Sequence, residues 1–341
     1  MSNLPSTTDV KLCFDDILLL PRYSELESRN DPILSTKLGN IILTCPIISA
    51  PMDSITGRDM LVAMDAVGGL GILTRYIGNS EETFKQINDI KWAKQNGAKN
   101  IGCAIGIRED ADQKSQRLLD AGCNVICIDV AHGDHQKMYD SINKILSLKN
   151  KYVFTLIAGN VCVPEAARRM SKAGVDVVKV GIGPGAACTT RRVTGFGMPQ
   201  LSAIIECSKS CEADIIADGG LRTTGDMVKS LWAGANACMI GYMLAGTSAT
   251  PDIGGGKAYR GMSSRTVSNR DDIAPEGIDI TVNYRGDTLH KLMEYIKGIR
   301  SGLAMGGATN IEQLRQCESV RVSPLSMKET ETVGEPGNAR K

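Results

Sequence analysis

The 341-residue chain sets 39 Lys and Arg against 38 Asp and Glu, so a formal net charge of +1 leaves no surplus with which to hold a polyanion. Hydrophobic residues make up 42% and charged residues 23%, the mix of a globular protein rather than a disordered or fibrous one. No apolar run approaches the roughly 20 residues of a membrane span, and the first nine residues lack the basic and apolar parts of a signal peptide. Neither a nucleic-acid partner nor a membrane is expected. Eleven cysteines are scattered without a CxxC pair, which reads as reduced thiols in a cytoplasmic protein.

Eight short β-branched runs follow one another along the chain, at 43–49, 70–74, 101–105, 125–130, 154–158, 177–181, 215–217 and 237–241. Amphipathic helical stretches lie between them at 81–96, 111–121, 135–149, 164–173, 199–210 and 225–233. Near-continuous apolar strands alternating with helices imply a parallel sheet buried on both faces. Eight such units predict an α/β fold of the closed (β/α)8, or TIM barrel, type. Ala-Gly pairs at 121–122, 173–174 and 233–234 predict helix ends with Gly in the left-handed position. After the eighth run, residues 245–287 show no clear period and are rich in Gly, Ser, Arg and Asp. This stretch is either an active-site flap or a surface insertion. A helix is expected over 288–301. Residues 1–322 are read as one barrel domain, and the polar segment 323–341 as a flexible tail.

In barrel enzymes the carboxyl ends of the strands build the active site. The sixth run ends in Gly181-Ile-Gly-Pro-Gly-Ala-Ala-Cys188-Thr-Thr190-Arg191-Arg192, a Gly-rich loop able to present carbonyls and amides to an ion or a phosphate. Pro184 and the polar run after it argue against a dinucleotide fingerprint. Cys188, with two arginines beside it, suits a nucleophile; a chance cysteine in a tight loop is the bland alternative. The seventh run ends in Asp218-Gly219-Gly220 and the eighth in Gly241, where backbone amides cradle phosphates in many barrels and Asp218 can accept from a ribose. The fourth run ends in Asp129-Val-Ala-His132-Gly-Asp-His135. The chain has three histidines in all, too few to favour a catalytic zinc, so Asp129 is read as a ligand-binding residue instead.

These residues resemble the IMP dehydrogenase/GMP reductase family over nearly the whole chain. The likeness runs through residues 12–24, Pro46-Ile-Ile-Ser-Ala-Pro-Met-Asp53, Ile128-Asp-Val-Ala-His-Gly133, Ala158-Gly-Asn-Val161, Lys179 to Arg191, Ala217-Asp-Gly-Gly220, Tyr259-Arg-Gly-Met-Ser-Ser264 and Pro275-Glu-Gly-Ile278. The resemblance implies a barrel that binds a purine mononucleotide and a nicotinamide cofactor, as a homotetramer. Cys188 then resembles the nucleophile that attacks purine C2, and Thr190 with Glu276 the pair that moves protons there. Gly183, Gly185 and Cys188 resemble carbonyl ligands of K+, with Arg191 at a further position of that loop. Asp218, Gly219, Gly220, Gly241, Tyr242, Gly261, Met262, Ser263 and Gly277 fall where the family holds the nucleotide. Ser28, Arg29, Asp129, Val130, Ala131, Gly181 and Ile182 fall on the cofactor side.

Two reactions in this family share one covalent adduct. A dehydrogenase passes hydride from IMP to NAD and hydrolyses the thioimidate to XMP, for which it carries an Arg-Tyr pair on a long flap. A reductase expels ammonia from GMP and takes hydride from NADPH to give IMP. Here the run from Met262 to Glu276 is short, and Asp271 follows Arg270 where a Tyr would be wanted. No regulatory domain is inserted between the second and third strand runs. The expectation is therefore an NADPH-dependent GMP reductase. Ala217-Asp-Gly-Gly-Leu-Arg222, Pro275-Glu-Gly-Ile278 and the run 298–303 read more like a dehydrogenase without its regulatory domain, which is the alternative. A catalytically inactive nucleotide-binding regulator and a metal-dependent hydrolase are the remaining classes.

Overall fold

The computed structural model describes residues 10–75, 82–268, 274–323 and 326. The chain start through residue 9, Arg270 and Asp271 of the flap, and all of the expected tail except Ser323 and Ser326 lie outside the described residues. Eight parallel strands close into a barrel: β1 (Ile47–Ser49), β2 (Leu70–Leu73), β3 (Ile101–Ile105), β4 (Val125–Asp129), β5 (Thr155–Val161), β6 (Val177–Val180), β7 (Asp214–Asp218) and β8 (Ala237–Ile240). They pair in chain order, and β8 returns to β1 with Cys238 opposite Ile47. A helix of the outer ring follows each strand: α1 (Arg58–Ala66), α2 (Glu82–Gln95), α3 (Ala111–Asp120), α4 (Gln136–Leu146), α5 (Pro164–Lys172), α6 (Gln200–Ser208), α7 (Thr224–Trp232) and α8 (Thr288–Met305). The fold is a (β/α)8 barrel. No helix among the described residues is long and apolar enough to cross a membrane.

Alternate strand residues serve two cores. Ile48, Ile72, Val125, Cys127, Ile157, Val177, Ile216 and Met239 fill the barrel interior. Ile47, Leu73, Ile126, Ile128, Val178, Ile215 and Cys238 face outward onto the helices. Burial on both faces is why the strands read as unbroken apolar runs. Continuing the same alternation by one inward position puts Asp129, Lys179 and Asp218 inside the barrel at its carboxyl end, above Cys127, Val177 and Ile216. The strand period thus delivers charge to the barrel mouth.

Three expectations change. The first run, 43–49, is not one strand: Thr36–Leu38 and Ile41–Leu43 form an antiparallel hairpin, and β1 starts only at Ile47. Leu38 and Leu43 from that hairpin join the interior core, and Gly39 N donates to Asp214 Oδ2 at the start of β7, so the hairpin plugs the amino-terminal end. Helix α1 was not anticipated, although its buried Met60, Leu61, Ala63 and Met64 carry a helical period. The flap is partly ordered as well. Asp252–Ile253, Gly256–Arg260 and Asp279–Thr281 form an antiparallel sheet, with Gly254 and Gly255 at positive φ in a two-residue hairpin turn.

The helix ends are as expected, with φ of 104° at Gly122, 92° at Gly174 and 114° at Gly234. At Gly234 an added Cβ would also collide with Ser208 Oγ. Gly234→Ala is expected to destabilise the barrel by about 1–3 kcal/mol, seen as a lower midpoint in thermal unfolding with Cys188 and its neighbours undisturbed. An unchanged midpoint would contradict the assignment.

Candidate active site

Beyond Val180, Gly181 N donates to Val161 O at 2.8 Å and the Gly-rich loop turns across the barrel mouth. Cys188 N donates to Gly185 O at 3.0 Å, and the chain then enters a five-residue helix, Thr190–Thr194. From the other side, the flap sheet brings residues 274–278 back along this loop. Thr189 N donates to Glu276 O at 3.0 Å and Ile278 N to Ala187 O at 3.0 Å, with Cys188 opposite Gly277 in an antiparallel bridge. Gly261 N donates to Ile278 O at 2.9 Å and Glu276 N to Ser263 O at 3.0 Å. Gly261 and Gly277 lie face to face. A Cβ on Gly277 would stand 3.0 Å from Gly261 Cα, and one on Gly261 would stand 2.8 Å from Gly277 Cα.

This stitching sets up a hydrogen-bonded series. The Cys188 thiol donates to Thr190 Oγ1 at 3.1 Å, and the Thr190 hydroxyl donates to Glu276 Oε2 at 2.6 Å. A proton can leave the sulfur for the carboxylate through one hydroxyl, which is how a thiol is turned into a nucleophile.

The charged layer forms the floor. Lys179, its side chain 3% exposed, stands 2.8 Å from Asp129 Oδ1 and also binds Asp218 Oδ2. Asn160 Nδ2 donates to the same Asp218 oxygen at 2.9 Å. Burial alone would push the Lys179 ammonium down, but the Asp129 and Asp218 carboxylates outweigh it and hold the group well above its usual value. Tyr242 and Tyr259 form a wall, ring edge against ring face at 5.3 Å. Arg285 lies 4.7 Å over the Tyr242 ring and donates to its carbonyl at 3.0 Å. Burial, and then the charge of Asp218, push the Tyr259 hydroxyl up.

One cleft collects most of the residues singled out in the sequence. Cys188, Thr190 and Glu276 line it, together with Asp218, Gly219, Gly220, Gly241, Tyr242, Gly261, Met262 and Ser263. So do Asp129, Val130, Ala131, Gly181, Ile182, Gly183 and Gly185. Gly277 does not line it but pairs with Cys188 in the bridge. Ser28 and Arg29 are not brought there. They sit in an exposed turn whose neighbour Ile33 binds Thr309 beyond the end of α8, toward the amino-terminal face of the barrel. Arg191 does not line the cleft either, because its side chain packs against Gly183 and Gly197 and donates to Met198 O. His132 and His135 have their rings 6.3 Å apart, and no group of three or more His, Cys, Asp or Glu among the described residues is placed to hold a metal.

Lys179, Asn160 and Tyr259 were missed in the sequence. The signal for Lys179 was present, since a lone cation in the apolar run 177–180 must be buried and therefore paired. Asn160 and Tyr259 offered no comparable signal.

A family model described as "IMP dehydrogenase / GMP reductase domain" matches residues 11–332. The chain is 34% identical to inosine-5'-monophosphate dehydrogenase of Cryptosporidium parvum, over 94% of this chain and 94% of that protein. It is 32% identical to the protein of that name from Borreliella burgdorferi, over 95% and 96% of the two chains. The one from Nitrosopumilus maritimus is 29% identical, over 94% and 97%.

Gly277→Ala is expected to push Glu276 away from Thr190 and cut turnover at this site by at least about ten-fold, equivalent to about 1.4 kcal/mol of barrier, with an unchanged far-ultraviolet circular dichroism spectrum. Full turnover would show that the contact between the two glycines does not seat Glu276.

Proposed function

The chain belongs to the IMP dehydrogenase/GMP reductase family, and from that premise we propose that it oxidises IMP to XMP with NAD through a covalent adduct on Cys188. The observation that carries the reading is the hydrogen-bonded series Cys188–Thr190–Glu276 at the mouth of a cleft lined by family-like nucleotide residues. Similarity to proteins named as dehydrogenases over nearly their whole length supports this direction of the reaction.

On this reading Asp218, Gly219, Gly220, Gly241 and Tyr242 hold the mononucleotide. The Cys188 sulfur adds to C2 of the purine while its proton passes through Thr190 to Glu276. Loss of the C2 hydrogen as hydride leaves a thioimidate on the sulfur. Glu276 then releases its proton to solvent and, again through Thr190, takes one from an attacking water. The C2–S bond breaks with its electron pair on sulfur, which takes that proton back from Glu276 through Thr190; XMP leaves and the thiol is restored. The bound dinucleotide supplies the hydride acceptor. Asp129, Val130 and Ala131 fit it chemically, with a carboxylate oxygen suited to ribose hydroxyls beside two small side chains. The carbonyls of Gly183, Gly185 and Cys188 would hold K+, for which neutral oxygen donors are the suitable chemistry. Homotetrameric assembly and a cytoplasmic location belong to the same proposal, supported by the family and by the free thiols of the described cysteines.

The expected NADPH-dependent GMP reductase gives way to the alternative. Short length was a poor guide, because the alignments with the relatives from Cryptosporidium parvum and Borreliella burgdorferi, both named as dehydrogenases, run over only 381 and 393 positions and yet take in 94% and 96% of those proteins. One observation still favours the reductase as a second reading. Asp271 follows Arg270 in the flap, so no Arg-Tyr pair is there to serve water, whereas Thr190 and Glu276 suffice to protonate departing ammonia.

One assay pair decides. IMP with NAD is expected to give XMP and NADH, and GMP with NADPH to give no IMP; the opposite pattern would establish the reductase. Cys188→Ala is expected to lose turnover by a factor on the order of a thousand or more while IMP still binds, measured by calorimetry alongside rates. Substantial residual turnover would remove Cys188 as the nucleophile.

A further inference from the structure

Asp129 and Asp218 come from β4 and β7 and line the cleft on either side of Lys179, which is carried by β6. Asp129 meets the ammonium through Oδ1, and Asp218 meets it, with Asn160, through Oδ2. Each carboxylate therefore commits one oxygen to the floor and keeps the other for a ligand. Nothing in the reaction uses Lys179 directly, yet without it two anions would share one pocket, and one of them would take up a proton. A protonated carboxyl is a poor acceptor for ribose hydroxyls, because it offers a donor where the ligand needs an acceptor.

We propose that Lys179 is a positioning residue that keeps Asp129 and Asp218 ionised at the same time, so that both halves of the cleft accept ligand hydroxyls at once. This rests on the reading that the cleft takes a mononucleotide beside Asp218 and a dinucleotide beside Asp129. Other groups face this layer. Cys127 lies beneath it on β4, Tyr259 approaches from the flap sheet, and Arg75 and Cys188 line the same cleft. Cys127 and Tyr259 are both pushed up by burial and stay neutral near pH 7. Asn160 on β5 and Gln200 on α6, which donates to the Asp218 carbonyl at 3.1 Å, do not titrate. That leaves the two carboxylates as the groups on this floor that the ammonium governs.

The test uses the full chain as Lys179→Met, Lys179→Arg and the double variant Lys179→Met/Asp129→Asn, with IMP affinity measured by calorimetry from pH 5.5 to 8.5. In Lys179→Met the two carboxylates come to share a proton, and because Asp218 carries part of it IMP binding should weaken, relative to wild type, as the pH falls, by at most about ten-fold per pH unit. Expressed as a ratio to wild type, which removes the titration of the ligand's own phosphate, the affinity of Lys179→Arg should stay flat and that of the double variant should return toward flat. An infrared band of a protonated carboxyl at pH 7 in ligand-free Lys179→Met is expected and needs no ligand. If that band appears but wild-type protein binds no IMP, the functional reading fails and the role of the ammonium stands. A folded Lys179→Met with a flat profile and no band overturns the proposal. Should Lys179→Met fold poorly, the double variant is expected to be more stable than it is; a double variant that is no more stable overturns the proposal equally.

Discussion

The chemistry of this barrel depends on two backbone segments, distant in sequence, lying closer together than any side chain between them would allow. Gly261 and Gly277 make that contact. Because they do, the flap can run as a strand along the Cys188 loop, and Glu276 arrives at Thr190 by main-chain hydrogen bonds rather than by the reach of a flexible side chain. The pairing of Gly256–Arg260 with Asp279–Thr281 supplies the rest of the alignment. A proton route from sulfur to carboxylate is thereby built into the backbone before any ligand binds, which is the preorganisation that covalent catalysis needs.

The floor follows a different logic. Directly below it the barrel packs apolar side chains, with Val125, Cys127, Val177 and Ile216 among them. One layer higher the same strands present Asp129, Lys179 and Asp218, groups whose removal from water costs several kcal/mol each before pairing offsets it. A barrel selected for stability alone would have continued the apolar layers. Buried charge at the carboxyl end of strands is instead the mark of a site that holds polar ligands, and it stands next to the Cys188 series.

Much of this was legible in the sequence, for reasons that differ from element to element. The eight strands announced themselves because burial on both faces demands unbroken apolar runs, and three helix ends did so because only Gly takes the left-handed turn cheaply. The Cys188 loop was legible from its glycines and its arginines. The hairpin at Thr36–Leu38 and Ile41–Leu43 was not, since an apolar plug and an apolar strand look alike over seven residues. The flap strands were hidden by their brevity and exposure. Arg191 was placed by position in the loop, and its side chain packs on Gly183 and Gly197 rather than lining the cleft. Ser28 and Arg29, carried over from the family resemblance, stand in an exposed turn away from the cleft of their own chain. Lys179 was readable in principle, as a lone cation in an apolar run, once strand period is used to ask which face it occupies.

Everything in the proposed reaction turns on Cys188 being bonded to purine C2 once the hydride has left. A first turnover with IMP labelled with 13C at C2, quenched in acid and mapped by peptide mass spectrometry, tests this. The labelled purine is expected on the Cys188 peptide in an amount matching the burst of NADH. A full NADH burst with Cys188 unmodified would contradict covalent catalysis at this sulfur.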